Sequence, residues 1–421
     1  MQKLIASSRY PGEIAVLLAL MAVLPVLEAP KNIFLVIYLV TWLVNRWRAA
    51  DFGGSWDVWD SLIALWIASG YIVASFAGFH HDEWSGPHDI ARYGLLLWTL
   101  KRSGYGRSEI QLILGAVGIV CAIALIFALW AQFVTHSRKA LELNSVGHVN
   151  HSAIYLLISF GTTLSLALAF WHRLNPVTRI TAALICLFLA AGVVMSASRA
   201  AVGVLPLLSL ILAFVWCRRS CKPFVILAVL CAVIGAGAYV ARLEVVQKQQ
   251  GNMESNNVLS YRDQIWNVAL VAWRQYPIFG VGMNNFNQIS DNSVKRWVEA
   301  SGKTYDASRY KGTAHAHSLY LNTLAERGAF GLGVVMLVLL AWFWRIVRHI
   351  PKREDEDITW ALWGGNFTAW FATVGVGLVN TTLHHENAIL VALLLGPLLA
   401  FNARNEAAFT KEALAAEASI A

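Results

Sequence analysis

Histidine is the side chain best suited to take up a proton near neutral pH, and the histidines of this chain are unevenly distributed. Of the twelve, all except His172 and His349 fall in or beside connections that we assign below to one side of a membrane. His315 and His317 stand two residues apart in HAHSLYLNTLAERG. Imidazole also lies at membrane interfaces for structural reasons, but the bias predicts that any proton transfer occurs on that side.

Arg199 and Arg262 are cations at positions that the sequence otherwise disfavours. Arg199 lies in SASRAAVG, in a connection between apolar segments that is too short for a surface loop. Arg262 lies in the first turn of a predicted helix, where the helix dipole disfavours a cation. Guanidinium groups match phosphate oxygens in charge and geometry, so both positions indicate a nearby anion. The structural alternatives are a lipid-anchored Arg199 and a solvated Arg262.

Asp82 and Glu83, flanked by His80 and His81, form a rival centre. Adjacent carboxylates in an outer loop are typical of metal-dependent transferases that act on lipid-linked oligosaccharides. Consecutive side chains point apart unless the loop bends, so carboxylate ligands for one cation are not assured here. We therefore predict a solvated loop and no metal site.

Apolar segments must position these residues. The chain has 57% hydrophobic and 14% charged residues, whereas soluble domains have about 45 to 50% and about 25%. Since a spanning helix needs about 20 apolar residues, low-charge runs predict about twelve spans. They lie near residues 13–28, 31–45, 58–78, 90–101, 109–134, 152–171, 178–197, 200–216, 223–241, 318–345, 358–381 and 386–403.

Lysine and arginine in short connections orient such a chain, because they are retained in the cytoplasm. They are concentrated in alternate connections, at Lys3, Arg9, Arg46, Arg48, Lys101, Arg102, Arg107, Arg173, Arg179, Arg218, Arg219, Lys222, Arg345, Arg348, Lys352, Arg353, Arg404 and Lys411. Both termini are therefore predicted to be cytoplasmic. The net charge of +8 follows from this topology and requires no nucleic-acid partner.

The predicted organisation has four parts. Spans 1 to 9 occupy residues 1–241, a large periplasmic loop 242–316, spans 10 to 12 residues 317–404, and a cytoplasmic tail 405–421. A loop of this length is usually functional or disordered, and its tryptophans and tyrosines favour an ordered one.

Short helices are predicted within this loop. Ser260 and Asp263 have the spacing of a capping box, and the helix they open should end at about Gln275, before Pro277. Ile265, Ala269 and Ala272 share one face. The helix is therefore expected to lie on the membrane surface or on the spans.

Three segments resemble the domain shared by O-antigen ligases and O-antigen polymerases: SASRAAVG, SYRDQIWNVALVAWRQYPIFGVGMNNF and HAHSLYLNTLAERGAFG. The resemblance runs from about residue 190 to 345, and the layout of about twelve spans with one large loop extends it over the chain. It implies an all-α polytopic fold of the type C glycosyltransferase class. It also implies an inverting enzyme of the bacterial inner membrane, without metal or cofactor, whose active site is periplasmic.

The implied partners are membrane lipids, an undecaprenyl diphosphate-linked O-antigen as donor, and lipid A core as acceptor. By the same resemblance, the family's histidine falls on His317 as the base, and its two arginines fall on Arg199 and Arg262 as a diphosphate clamp. The Glu-x-Gly of the family's motif is intact at residues 326–328. The supporting candidates are His315, Tyr310, Glu326, Asn322, His384 and His385.

Helical spacing separates some of these candidates. If one helix begins at His317, then Gly328 shares its stripe, whereas Glu326 is turned about 180° away and Arg327 also faces away. Asn322 and Glu326 would form a separate polar face. A partner that orients His317 would then come from His384, His385, Glu386 or Tyr310.

Other functions remain open at this point. An O-antigen polymerase typically has two sizeable outer loops, a protein O-oligosaccharyltransferase is usually longer, and a peptidoglycan polymerase relies on a loop aspartate. A membrane transporter would show internal repeats or broken, charged spans, which this sequence does not show.

Overall fold

The computed structural model describes residues 8–217 and 260–420, and within these residues the regular elements are all helical. The α-helices, in chain order, are α1 (Pro11–Val23), α2 (Glu28–Ala49), α3 (Val58–Ser75), α4 (Ser85–Lys101), α5 (Arg107–Phe133), α6 (Val149–Phe170), α7 (Pro176–Met195), α8 (Arg199–Trp216), α9 (Arg262–Gln275), α10 (Asp291–Ala300), α11 (Leu319–Arg348), α12 (Asp357–Gly377) and α13 (His385–Ile420).

Seven of the described helices are long and apolar enough to cross a membrane: α3, α5, α6, α7, α8, α11 and α13. The prediction of an all-α polytopic membrane protein is confirmed at this level. Each predicted span coincides with a helix except the one at 223–241, which lies outside the described residues, as does the start of the predicted loop up to residue 259. The shorter α1 and α4 have 13 and 17 residues.

Two helices form the centre of the bundle. About 83% of the apolar window of α6 and 94% of that of α13 are buried inside the protein. Close contact between α6 and α12 depends on small residues, since a Cβ at Gly161 would lie 2.4 Å from the Thr368 hydroxyl oxygen. Glycines at such crossings let helices approach closely in a membrane, where no hydrophobic effect drives their association.

The described part of the predicted loop is ordered around a small core of its own. The buried side chains of α9, Ile265, Val268, Ala269 and Ala272, pack with residues of α10 and with Ala325 of α11. The face predicted for α9 is therefore buried, and the helix lies on the spans. It ends at Gln275 as predicted.

The predicted capping box is wrong. α9 begins at Arg262 after Tyr261, whose φ is +62°, and its N-terminus has no side-chain cap. Ser260 also has a positive φ, of +52°, so its hydroxyl is directed elsewhere and accepts a hydrogen bond from Arg199. A contact outside the helix has replaced the local cap.

Helix α13 spans the distance between the two polar ends of the bundle. His385 starts the helix beside other histidines, and Arg404 donates hydrogen bonds to the carbonyl oxygens of Gly104 and Tyr105, just after α4. At 1.5 Å per residue these ends are about 30 Å apart. That matches the hydrocarbon thickness of a bilayer.

Candidate active site

The helix α11 is broken at Gly328, within ERGAFG. Gly328 has φ +62° and ψ −167°, which glycine adopts readily because it lacks a Cβ. A Cβ at this position would lie 2.1 Å from the carbonyl oxygen of Ile278. Loop segment 277–282 docks at the break, where the amide of Val281 donates to the carbonyl of Ala325 at 2.9 Å. The sequences PIFGVG and ERGAFG are thus joined backbone to backbone.

Asn322 connects this break to the segment that contains His315 and His317. Its side-chain oxygen accepts a 2.8 Å hydrogen bond from the amide of Ala316, the residue between His315 and His317. Its side-chain nitrogen donates to a carboxylate oxygen of Glu326 at 2.9 Å. Glu326 therefore reaches the histidine segment indirectly, through Asn322. Asn322 and Glu326 share a polar face, as their spacing predicted.

The predicted helical stripe through His317 is wrong. α11 begins only at Leu319, and the hydroxyl of Ser318 caps it by accepting from the amide of Leu321. His317 precedes the cap, with φ +47°. Such a conformation is rare for a residue with a side chain, and it persists only where the surroundings fix it. The direction of the imidazole is set by this turn rather than by a helical angle.

Arg199 and Arg262 are each the first residue of a helix, α8 and α9. The guanidinium of Arg199 donates to the hydroxyl of Ser260 at 2.8 Å, which brings the start of α8 next to the turn that opens α9. Burial lowers the pKa of Arg262, and the positive charge of Arg199 lowers it further. Two helix N-termini and two guanidinium groups therefore meet, which is an arrangement that favours an anion.

His317 lies within the electrostatic reach of Arg262. Burial lowers the pKa of His317 to about 4, and the neighbouring charges of His315, Arg262 and His148 contribute in that order. The rings of His315 and His317 are 4.4 Å apart between centroids. The imidazole of His317 is therefore neutral at physiological pH and able to accept a proton.

The remaining supporting candidates divide into two groups. His384 adjoins His385 with ring centroids 3.7 Å apart, and burial lowers the pKa of His384 well below its usual value. Tyr310 lies in the loop, where its ring stacks on Tyr305 at 5.5 Å. Sequence reasoning missed His151 of α6, whose ring lies 6.2 Å from that of His315 and 5.7 Å from that of His384.

Asp82 and Glu83, the alternative candidates for a site, contact different partners. The backbone amide of Asp82 donates to Asn285, and the carboxylate of Glu83 lies 3.3 Å from the Nδ1 of His80. Within the described residues, no group of three or more His, Cys, Asp or Glu side chains has the arrangement of a metal site.

A cavity of about 390 Å³ adjoins the histidines. Its walls come from α3, α4, α11, the loop and the start of α13, and they include His315, Glu326 and His384. Arg327 lines it too, donating to the Ser69 hydroxyl at 2.7 Å. Arg327 was predicted to face away from the stripe of His317, and the cavity that it lines includes His315 but not His317, so this stays a prediction.

A comparison with curated proteins finds no significant match. Residues 184–336 match the family model described as O-antigen ligase. This range contains Arg199, Arg262, His317 and the Glu326 to Gly328 break, which the structure brings to one side of the bundle. This match over residues 184–336 supports membership of the O-antigen ligase and polymerase superfamily.

Proposed function

We propose that the protein is an O-antigen ligase, which transfers a glycan from undecaprenyl diphosphate to the lipid A core. The observation that carries this proposal is the convergence of a neutral histidine with two arginines at helix N-termini. The charge of Arg199 acts on Arg262, and the charge of Arg262 acts on His317. A base and an anion site are thus adjacent, as attack on a lipid diphosphate requires.

In the proposed reaction, His317 takes the proton of an acceptor hydroxyl. The hydroxyl oxygen then forms a bond to the anomeric carbon of the donor glycan, and the bond from that carbon to the diphosphate oxygen breaks. The carrier diphosphate leaves with the electron pair, and attack from the opposite face inverts the configuration. The protonated imidazole returns its proton to solvent.

Arg199 and Arg262 would hold the departing diphosphate. Charge that develops on its oxygens is stabilised by guanidinium forks and by the exposed amides at the starts of α8 and α9. These groups are already in place before the reaction, so no reorganisation is needed as charge develops. Arginines then do the work that a metal ion does in other transferases, and we propose that no metal or other cofactor takes part.

The proposed site faces the periplasm. The starts of α6, α11 and α13 meet there, because His151 contacts both His315 and His384. Connections rich in lysine and arginine lie at the other ends of these helices, which by the positive-inside trend belong in the cytoplasm. We propose a multi-pass protein of the inner membrane with both termini in the cytoplasm.

The test uses purified protein in lipid vesicles with undecaprenyl diphosphate-linked glycan and lipid A core. The expected products are glycan joined to lipid A core and free undecaprenyl diphosphate, in equal amounts and in the presence of EDTA. Deleting the gene in a Gram-negative host should remove long-chain lipopolysaccharide and leave carrier-linked polymer. A longer carrier-linked glycan as the product would indicate a polymerase, and a glycosylated protein would indicate an oligosaccharyltransferase. Inhibition by EDTA that magnesium reverses would contradict the metal-free mechanism.

A further inference from the structure

The 390 Å³ cavity is a compartment distinct from the arginine site. His315 lines it, whereas the residues that bound it do not include Arg199, Arg262 or His317. It adjoins the proposed base through His315, whose ring centroid lies 4.4 Å from that of His317. Its volume falls in the range of about 300 to 1,000 Å³ that is usual for small-ligand sites.

Carboxylates outnumber guanidinium groups on its walls, where Asp82, Asp89 and Glu326 accompany Arg327. Asp89 forms an ion pair with Arg92, and Glu326 accepts hydrogen bonds from Asn322 and from the amide of Phe286. A wall with more carboxylates than guanidinium groups does not attract a diphosphate, which needs a surplus of cations.

The hydrogen-bonding groups and aromatic rings suit a polyhydroxyl ligand. Asn284 and Asn287 contribute amides that both donate and accept, and Trp66 and Tyr93 contribute rings with apolar faces. Arg327 is buried, and it adds guanidinium donors to the polar part of the wall.

We propose that this cavity binds an uncharged saccharide, and that the saccharide is the terminal part of the acceptor. The inference rests on the proposed transferase function. A hydroxyl presented from the cavity would approach His317 from the His315 side, and the donor diphosphate would approach from the side of Arg262. The two substrates would then meet at the base from separate compartments.

Ala314→Phe tests the proposal, because Ala314 lines the cavity and is exposed, so a larger side chain fills space without disrupting a core. The matched control is Ala307→Phe, an exposed residue of the same loop that does not line the cavity. We expect Ala314→Phe to raise the KM for lipid A core by about tenfold or more, and to leave the KM for the carrier-linked donor within about twofold. The control should change neither KM.

A donor KM that rises while the acceptor KM stays constant would assign the saccharide to the donor and overturn the acceptor assignment. If neither KM changes, the cavity is not a saccharide site.

A direct binding measurement separates this inference from the proposed reaction. The probe is core oligosaccharide released from its lipid, titrated calorimetrically into detergent-solubilised protein. Binding to the wild type that weakens about tenfold in Asn287→Ala, but not in the exposed control Asn292→Ala, would support the cavity site even if no transfer were detected. Absence of binding to a wild type that does transfer glycan would overturn the cavity assignment and leave the ligase proposal intact.

Discussion

Arginine has opposite environments at the two ends of the bundle. Beside the end of α4, Arg102 holds Asp60 with two hydrogen bonds of 2.9 and 2.7 Å, and this raises the pKa of Arg102. Lys101 binds the same carboxylate at 2.9 Å. At the candidate site, burial and the charge of Arg199 instead lower the pKa of Arg262.

This contrast distinguishes an arginine that stabilises the fold, Arg102, from one that would bind an anionic ligand, Arg262. A cation that is stabilised by a carboxylate joins helices, as Arg102 joins the ends of α3 and α4. A cation that is buried near another cation is stabilised further when an anion arrives, and such perturbed groups cluster at functional sites. Burial and neighbouring histidines likewise lower the pKa values of His317 and His384 at this end.

The largest effect is expected for the base. His317→Ala should lower the rate of glycan transfer by about 10²- to 10⁴-fold, the usual contribution of a general base, because the acceptor hydroxyl loses the group that takes its proton. Transfer is measured with purified protein, alongside its thermal unfolding temperature. His315→Ala should be milder, and the exposed His81→Ala should be neutral. Full activity in His317→Ala would remove this residue from the mechanism.

The arginines give the next largest effect and test the contrast directly. A charge-assisted hydrogen bond contributes about 1.5 to 3 kcal/mol, so Arg199→Lys and Arg262→Lys should each lower the rate by about 10- to 150-fold because lysine lacks the planar fork. Their membrane levels should be normal. Arg102→Lys should do the reverse, lowering the unfolding temperature while the rate per folded molecule stays unchanged.

Arg296→Lys, at an exposed position of α10, is the matched control for the substitution itself and should behave as wild type. If Arg102→Lys and Arg262→Lys both act through stability alone, the two ends of the bundle are equivalent and the anion site is the wrong interpretation. Rates and unfolding temperatures must therefore be measured on the same preparations.

The sequence predicted the local features of this site better than its long-range ones. Apolar runs located the described helices of the bundle, and spacing gave the buried face and the end of α9, because both depend on neighbours along the chain. The break at Gly328 could not be derived in this way. It depends on the docking of segment 277–282, and sequence periodicity reports nothing about a contact across some fifty residues.

Contacts between distant parts of the chain also explain the predictions that failed at particular residues. Ser260 has the spacing of a capping residue, but its hydroxyl binds Arg199 from another helix. His317 was expected on a helical stripe, because a continuous helix was assumed, but the helix begins only at Leu319. His151 carried no motif, and its place among the other histidines follows from the packing of α6 at the centre of the bundle.

A smaller effect is expected where the site is held by an amide side chain instead of an ion pair. Asn322→Ala removes the two hydrogen bonds that join the carboxylate of Glu326 to the amide of Ala316. The segment that holds His317 depends on the neutral bond to Ala316, and since a neutral hydrogen bond contributes about 0.5 to 1.5 kcal/mol, the kcat should fall by about 3- to 10-fold with little change in the KM for the donor. Asn292→Ala is the control. A large loss of stability, with a normal kcat in the folded fraction, would make Asn322 structural.

The smallest effect is in the pH dependence of transfer, which differs between a buried His317 with a lowered pKa and a histidine with an ordinary pKa. Protonation removes the base, so transfer is lost as the pH falls through the pKa of His317. With that pKa near 4, the kcat/KM for the donor should change by less than about twofold between pH 7 and pH 5. A histidine with an ordinary pKa of about 6.5 would lose about 25-fold over the same range.

The profile of kcat should differ from that of kcat/KM, because kcat reports the enzyme with its substrate bound. A bound diphosphate offsets the charge of Arg262, which is one of the causes that depress the pKa of His317. The acid limb of kcat should therefore lie at a higher pH than that of kcat/KM. In Arg262→Gln, where this charge is absent from the start, the two limbs should move closer together. Limbs that coincide near pH 6.5 in the wild type would mean that neither burial nor Arg262 acts on the base.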